Sequence, residues 1–469
     1  MYLYQDLEQE LTQLIMQGQL PPGSRLPSIR QQCQERGLSK ATVIHAYQRL
    51  EAAALVESRF KSGYYVCAPA TRHRTPSEPT HWSMPQLVDM SDLMRDIMEQ
   101  GAAFDICPHE EQGYDSLPAA INELNRCIGR ALRRQKGSDH QYYDEPAGLP
   151  ELRQQLSARY ARLGCDIRAE DMVMTAGCQH ALFLALQSCC RPGDTVAVES
   201  PGFYGVLQLL ETLGLKVLEI PSSPEQGISV AALRSALEQW DISACVVTPA
   251  YATPTGSLLP QTARQALLDL AEEHDFILIE DDIYGDLGFS QRVAPLRQLD
   301  KTQRVILCGS LSKSLSRELR LGWVVASRPQ QLKRLKMVNL LGLSRFTQQG
   351  VVDFISNGGY DRHLRRYRQQ LRLQRDQLIT LLDQHWRGLG EIAVSRPEGG
   401  LSLWVELAPG HDLAACYLPA RSQGIVITPG NLFSAQERFS HCLRLSFAHE
   451  WTKPRQQALI RLGQILGGE

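Results

Sequence analysis

At 469 residues the chain is too long for one compact core, so two or three folded units are expected. Hydrophobic residues at 43% and charged residues at 21% make an ordinary globular mixture. The 49 basic and 51 acidic side chains nearly cancel, to a formal net charge of -2, so no whole-chain attraction to nucleic acid or membrane exists and any such site must be local. The opening residues MYLYQDLEQELTQLI carry acids and glutamines where a secretory signal would need a basic patch and an apolar run. No stretch approaches the roughly 18 apolar residues of a membrane span, so a cytoplasmic chain with no membrane partner is expected. The 12 cysteines are scattered singly apart from Cys189-Cys190, with no C-x-x-C pair for a metal, and read as reduced core residues.

In chain order, residues 7–17 place Leu7, Leu11, Leu14 and Ile15 on one helical face. LPPGSRLPS stops that helix, Ser28 is positioned to cap IRQQCQERG, and Gly37 ends it. A further helix, LSKATVIHAYQRLEAAA, has Ser39 as its N-cap and a buried stripe of Val43, Ala46, Tyr47 and Leu50. Lys40, Thr42, His45 and Gln48 or Arg49 then face away from the core. With the hairpin LVESRFKSGYYV, these are the parts of a winged helix-turn-helix over residues 1–67.

The runs PGSRLPSIR, S-x-x-T-V-x-x-A-Y-x-x-L at Ser39–Leu50, and SGYYV closely resemble the GntR family of bacterial regulators. The resemblance implies that Arg25 and Arg30 reach phosphate or base edges of a double-stranded operator. It also implies that Ser39, Lys40, Thr42 and His45 belong to the recognition helix and that Lys61 and Gly63 sit in the wing. A helix N-terminus offers free N–H groups to phosphates, and short polar side chains let the helix seat deeply in the major groove. Charge alone would not make this case: up to residue 70, seven basic residues (Arg25, Arg30, Arg36, Lys40, Arg49, Arg59, Lys61) face six acids (Asp6, Glu8, Glu10, Glu35, Glu51, Glu57). The motif carries it.

Residues 68–95, rich in proline and poor in aliphatics, read as an extended, solvated linker. Over 96–469, strand-like runs (DMVMTAG, TVAVESP, ACVVTPA, FILIEDD, RVILCGS) alternate with helical ones, the pattern of a parallel sheet covered by helices. The helix YDRHLRRYRQQLRLQRDQLITLL and the strands LSLWVEL and CLRLSFA then suggest a smaller α+β C-terminal subdomain.

The large region carries S-L-S-K at Ser310–Lys313 with Arg320 seven residues on, IEDDIYGD with Asp281 and Tyr284, TPAYATPTG, TAGCQHALFLAL and ESPGFYG. Order and spacing resemble the fold type I aminotransferases, which use pyridoxal 5'-phosphate. With the N-terminal module and the HLRRYRQQL run, the whole chain is identified as a member of the MocR subfamily of GntR regulators. The expected fold is therefore multi-domain: a winged-helix N-terminal domain, then an α/β fold type I aminotransferase-like domain with its small C-terminal subdomain.

By that resemblance Lys313 supplies the amine for the cofactor's aldehyde and Asp281 the carboxylate at its pyridine nitrogen. Ser310, Ser312, Arg320 and the helix start at Gly177, Cys178 and Gln179 take the phosphate. Phe203 stacks on the ring, Tyr284 donates to its phenolic oxygen, and Arg444 grips a ligand carboxylate. One position departs from the family: where aminotransferases carry Asn before proline, this chain has Thr253, too short to reach that oxygen easily. The expected function is a cofactor-dependent transcriptional regulator, a homodimer that senses an amino compound or the cofactor itself. The rival is a working aminotransferase with an ancillary DNA-binding module, which Thr253 and the intact GntR motif count against. A third reading, a dead fold without cofactor, conflicts with the intact phosphate and ring contacts.

Overall fold

The computed structural model describes residues 3–16, 19–21, 23–53, 55–59, 62–67, 74–79, 84–88, 95–97, 105–107, 118–137 and 141–468. In the head, α1 (Leu3–Met16), α2 (Ile29–Arg36) and α3 (Lys40–Ala52) precede the antiparallel pair β1 (Val56–Arg59) and β2 (Gly63–Val66). Ser28 Oγ accepts from the Gln31 amide and Ser39 Oγ from the Thr42 amide, each at 3.1 Å, which fixes where α2 and α3 begin. Gly37 ends α2 at φ 66°, a left-handed turn that suits glycine. Leu7, Leu11, Leu26, Val43, Ala46, Tyr47, Leu50, Val56 and Val66 make the head's own core.

The large domain is built on a nine-stranded sheet. Its path runs β3 (Gln86–Leu87), β6 (Lys216–Ser223), β5 (Thr195–Ser200), β7 (Ala244–Val247), β8 (Ile277–Asp281), β9 (Val305–Ser310), β10 (Gly322–Val325) and β4 (Met172–Thr175), with Gly227–Ile228 paired to β6. β6, β5, β7, β8 and β9 are mutually parallel, and β10 is antiparallel to both of its neighbours. Every residue of β4, β7, β9 and β10 is buried, as expected for strands covered on both faces. The C-terminal subdomain has an antiparallel sheet in the order β11 (Ala393–Val394), β12 (Ser402–Glu406), β14 (Cys442–Ser446), β13 (Thr428–Pro429).

The expected solvated linker is corrected by its described parts, which lie along the large domain. Ser77 Oγ donates to Glu406 at 2.8 Å, Arg74 bridges to Ala393, β3 adds an edge strand to the main sheet, and Val88 enters the core. Val88 supplies an apolar anchor that the run of prolines hid.

One helix, α6 (Gly359–His385, 27 residues), ties three parts together. Near its start the Tyr360 phenol lies 2.7 Å from Ser314 Oγ, and His363 Nε2 is 2.9 Å from the Ser314 carbonyl. Further along, Arg375 donates to Glu398 and to the Pro397 carbonyl. Between these points α6 meets the head: Arg372 is 3.8 Å from Glu57, and the Leu373 side chain fills the space that a Cβ on Gly23 would take.

Candidate functional site

Five strand ends feed one cleft, at the carboxyl edge of the sheet where open α/β folds bind ligands. Beyond β4, Gly177 stands at the N-cap of α4 (Cys178–Cys189), so the first amides of that helix face the cleft. Beyond β5, Phe203 opens α5 (Tyr204–Leu213) and lines the wall. Thr253 follows β7, Asp281 closes β8 with Tyr284 just after it, and Lys313 follows β9. Together with Gln179, Ile283, Ser312, Arg317 and Arg320 they enclose about 190 Å³. Residues as distant in sequence as Cys178 and Arg320 thus meet because parallel strands deliver their carboxyl ends to one edge.

Burial sets the charge states. Asp281 is pushed up to about 6 by burial, opposed by the Cys178 thiol, which donates to its Oδ1 at 3.0 Å. At neutral pH it is therefore a carboxylate. Burial raises the Cys178 thiol well above its usual range, with the Asp281 charge adding to it, so the thiol keeps its proton and acts as donor. Burial also holds the Lys313 ammonium well below the ordinary lysine range, reinforced by the charges of Arg317 and Arg444. The neutral, nucleophilic amine is thereby favoured. Tyr284 is buried, and burial raises its phenol, which stays protonated.

The corner at Gly177 and Arg320 is shaped by close backbone approach. Gly177 has φ 89°, and a Cβ there would stand 3.0 Å from Arg320 Nη2, which donates to the Ala176 carbonyl at 3.0 Å. Gly177→Ala should therefore displace Arg320 and strain the helix start, lowering affinity for a phosphate-bearing cofactor at least tenfold in a spectroscopic titration while the fold survives. Unchanged affinity would remove Gly177 from the site. Ser310 and Ser312 divide the work: Ser310 is buried, its Oγ bonded to the Leu321 carbonyl and accepting from the Ser312 amide, while Ser312 lines the cleft. Thr253 is buried beside Tyr284, and its Oγ1 makes no regular hydrogen bond among the described residues. Arg444 comes from β14, only 2% exposed; it donates to Thr428 Oγ1 at 3.2 Å and lies 5.4 Å from the Phe433 ring.

Sequence reasoning missed Arg317, and it missed a buried ionic network behind Lys313. Arg292 pairs with Asp282 at 3.1 Å and Asp286 at 3.2 Å; Tyr160 donates to Asp282 and Tyr360 to Asp286. Arg317 was legible, standing between Lys313 and Arg320. The network was not: its acids and Arg292 are close in the chain, but Tyr160 and Tyr360, which complete it, stand 122 and 74 residues from the acids they bond.

In the head, Arg25, Arg30, Ser39, Lys40 and His45 are exposed and Thr42 is half-buried. Ser39 and Thr42 bond each other at 2.8 Å across the start of α3. Gly63, at φ 109°, leaves room for the Arg25 side chain 3.2 Å from where a Cβ would sit. His45 meets Tyr4 of α1 edge-on at 4.4 Å, and Arg49 pairs with Glu8, so this flank of α3 is partly engaged by α1. Lys61 lies outside the described residues.

Comparison with known proteins matches residues 3–66 to the family of bacterial regulatory proteins, gntR family, and residues 107–461 to aminotransferase class I and II. The chain is 35% identical to the HTH-type transcriptional regulator YjiR of Escherichia coli (strain K12), over 99% of this chain and 98% of that one. It is 30% identical to the HTH-type transcriptional regulator TauR of Rhodobacter capsulatus, over 98% and 96%. Among solved structures it is similar to LysN, an α-aminoadipate aminotransferase of Thermus thermophilus complexed with N-(5'-phosphopyridoxyl)-L-leucine. That match has a TM-score of 0.70 at 26% identity and covers 81% of this chain and 96% of the other.

Proposed function

Because the chain belongs to the GntR-family transcriptional regulators that carry an aminotransferase class I and II domain, the MocR arrangement, we propose that it binds operator DNA through its head, holds pyridoxal phosphate in the cleft at Lys313, and answers there to an amino compound or to the cofactor itself. The observation that carries this reading is the convergence of Lys313, Asp281, Tyr284, Phe203, Ser312 and Arg320 on one cleft at a helix N-terminus.

The donor set fits the cofactor group by group. Bound there, pyridoxal phosphate supplies an aldehyde that condenses with amines and a ring that withdraws electrons. Lys313 offers a neutral amine, and the Asp281 carboxylate holds a proton on the ring nitrogen. Tyr284 would donate to the ring oxygen, the role that Asn shares in an aminotransferase, with Thr253 beside its phenol. Phe203, in the cleft wall, would stack on the ring. Arg320, Ser312 and the α4 amides take the phosphate, and the glycine at 177 leaves them room. Arg444, from the small subdomain, would take a ligand carboxylate. The place of action is the cytoplasm, where operator and cofactor are both present.

A homodimer suits this reading. Tyr142, Tyr143, Met337 and Val338 are 75%, 81%, 50% and 88% exposed, and Gly342 approaches the Asp144 backbone, so these apolar side chains belong to neighbouring segments. A second copy would cover them, and two heads would meet two half-sites.

The test is an absorption titration of the purified protein with pyridoxal phosphate, beside Lys313→Ala. A visible band in the wild type, absent in the variant and shifted by an amine, is the expected result; no band overturns the cofactor half. Operator affinity followed against salt tests the other half. Arg30→Ala and Lys40→Ala should each lower the salt slope by about 1. Unaltered slopes in both would remove these side chains from the DNA contact.

A further inference from the structure

We propose that the amine read in this cleft carries two anionic groups, one near the amine and held by Arg444, the other distal and held by Arg317. The inference rests on the cofactor reading above and names the ligand class of the same site.

Arg317 stands four residues beyond Lys313, on the turn that ends at Arg320, and lines the cleft with both. An exposed arginine is ordinarily a solvated group. Arg317 differs because it forms the cleft wall beside Lys313, and its charge reaches the lysine amine and the Tyr367 phenol of α6. Asp281 is the one carboxylate in a wall that also holds Lys313, Arg317 and Arg320. The cofactor uses up part of this set: Asp281 at the ring nitrogen, Lys313 at the aldehyde, Arg320 at the phosphate. Two further guanidinium groups stand near the lysine: Arg317 in the cleft wall, from the large domain, and Arg444 from the small subdomain, outside that lining but with a charge that reaches Lys313 and Tyr284.

They differ in setting. Arg444 is buried between aromatic rings, where only a group close to the reacting amine arrives. Arg317 is exposed, so it suits the far end of a ligand that extends outward. Guanidinium pairs bidentately with carboxylate, and with other planar or tetrahedral oxyanions, which fixes direction as well as charge. The ligand class is thus an amino acid with a second acid on its side chain.

The measurement uses full-length protein loaded with pyridoxal phosphate, titrated with L-glutamate against L-glutamine and L-aspartate against L-asparagine. Each pair has nearly one shape and differs in the distal charge. Half-shift of the visible band should come at a concentration at least tenfold lower for one acid than for its amide. Arg317→Gln should bring that ratio to within about twofold, and Arg317→Lys should restore part of it. Arg444→Gln should weaken acid and amide together. Equal response to acid and amide in the wild type, or a ratio untouched by Arg317→Gln, overturns the inference. So does a visible band that none of these amines shifts, with the cofactor reading left standing; the absence of any band brings down both.

Discussion

Replacing Leu50 with alanine should unfold the DNA-binding head and leave the large domain folded. Leu50 is fully buried in a core of nine residues that belongs to the head alone. Truncating a buried leucine costs about 2–5 kcal/mol, and a core serving some 60 residues rarely supplies more than about 3–5 kcal/mol. Among the described residues the head meets α6 through the Arg372–Glu57 pair and the Leu373 contact, which add little to that core. Calorimetry should lose or strongly lower one transition and retain the other. Operator binding should vanish while pyridoxal phosphate still binds. Preserved operator affinity would mean that the large domain stabilises the head far more than these contacts allow.

The second large effect is expected at Arg292→Met. Arg292 is buried between Asp282 and Asp286 and stacks over Tyr160 at 4.6 Å. Removing one member of a buried ion pair leaves an uncompensated charge and costs about 3–5 kcal/mol. In the wild type, burial pushes Asp282 up to about 6, against the pull of Arg292. Burial would also raise Asp286, but Arg292 and Arg159 outweigh it and hold its carboxyl below the ordinary range. A depressed folded value means that Asp286 contributes stability above its unfolded pKa, lost as pH falls through the folded one. In the variant both carboxyls move up. A raised folded value stabilises at low pH and is lost as pH rises, so the deficit in Tm against wild type should shrink between pH 8 and pH 5. A deficit independent of pH would assign the loss to packing alone. Because Ser314 hangs on Tyr360 and Tyr360 on Asp286, the cofactor band should also broaden or shift.

The strands and the site loops were legible because each signal is local. A buried parallel strand is a short apolar run, and its carboxyl end carries the chemistry. FILIEDD and RVILCGS therefore announced both the β8 and β9 strands and the neighbourhood of Asp281 and Lys313. Ser39 and Gly37 marked the ends of head helices by capping chemistry that acts within three residues. What stayed hidden depends on distant partners. Proline content marks the 68–95 segment as a break between folded units, but nothing in it showed that Ser77 would find Glu406 or that β3 would pair with β6. Ser310 illustrates the same limit at short range: a hydroxyl in an S-x-S-K run looks available for phosphate, yet the carbonyl of Leu321 claims it. His45 shows it in the head, where helical spacing gave its direction but not Tyr4 waiting there.

The helix α6 also makes the molecule a machine with an arm. From Tyr360, seated against the residue after Lys313, to Leu373, pressed on the head, is about 20 Å at 1.5 Å per residue. A stiff rod of that length pivoting by about 5° carries its far end through about 2 Å. Packed surfaces tolerate less than about 1 Å before contact is lost. An angular change at the lysine too slight to alter the cleft's outline is thus large enough, at the other end, to decide whether the head rests on the body or comes away from it.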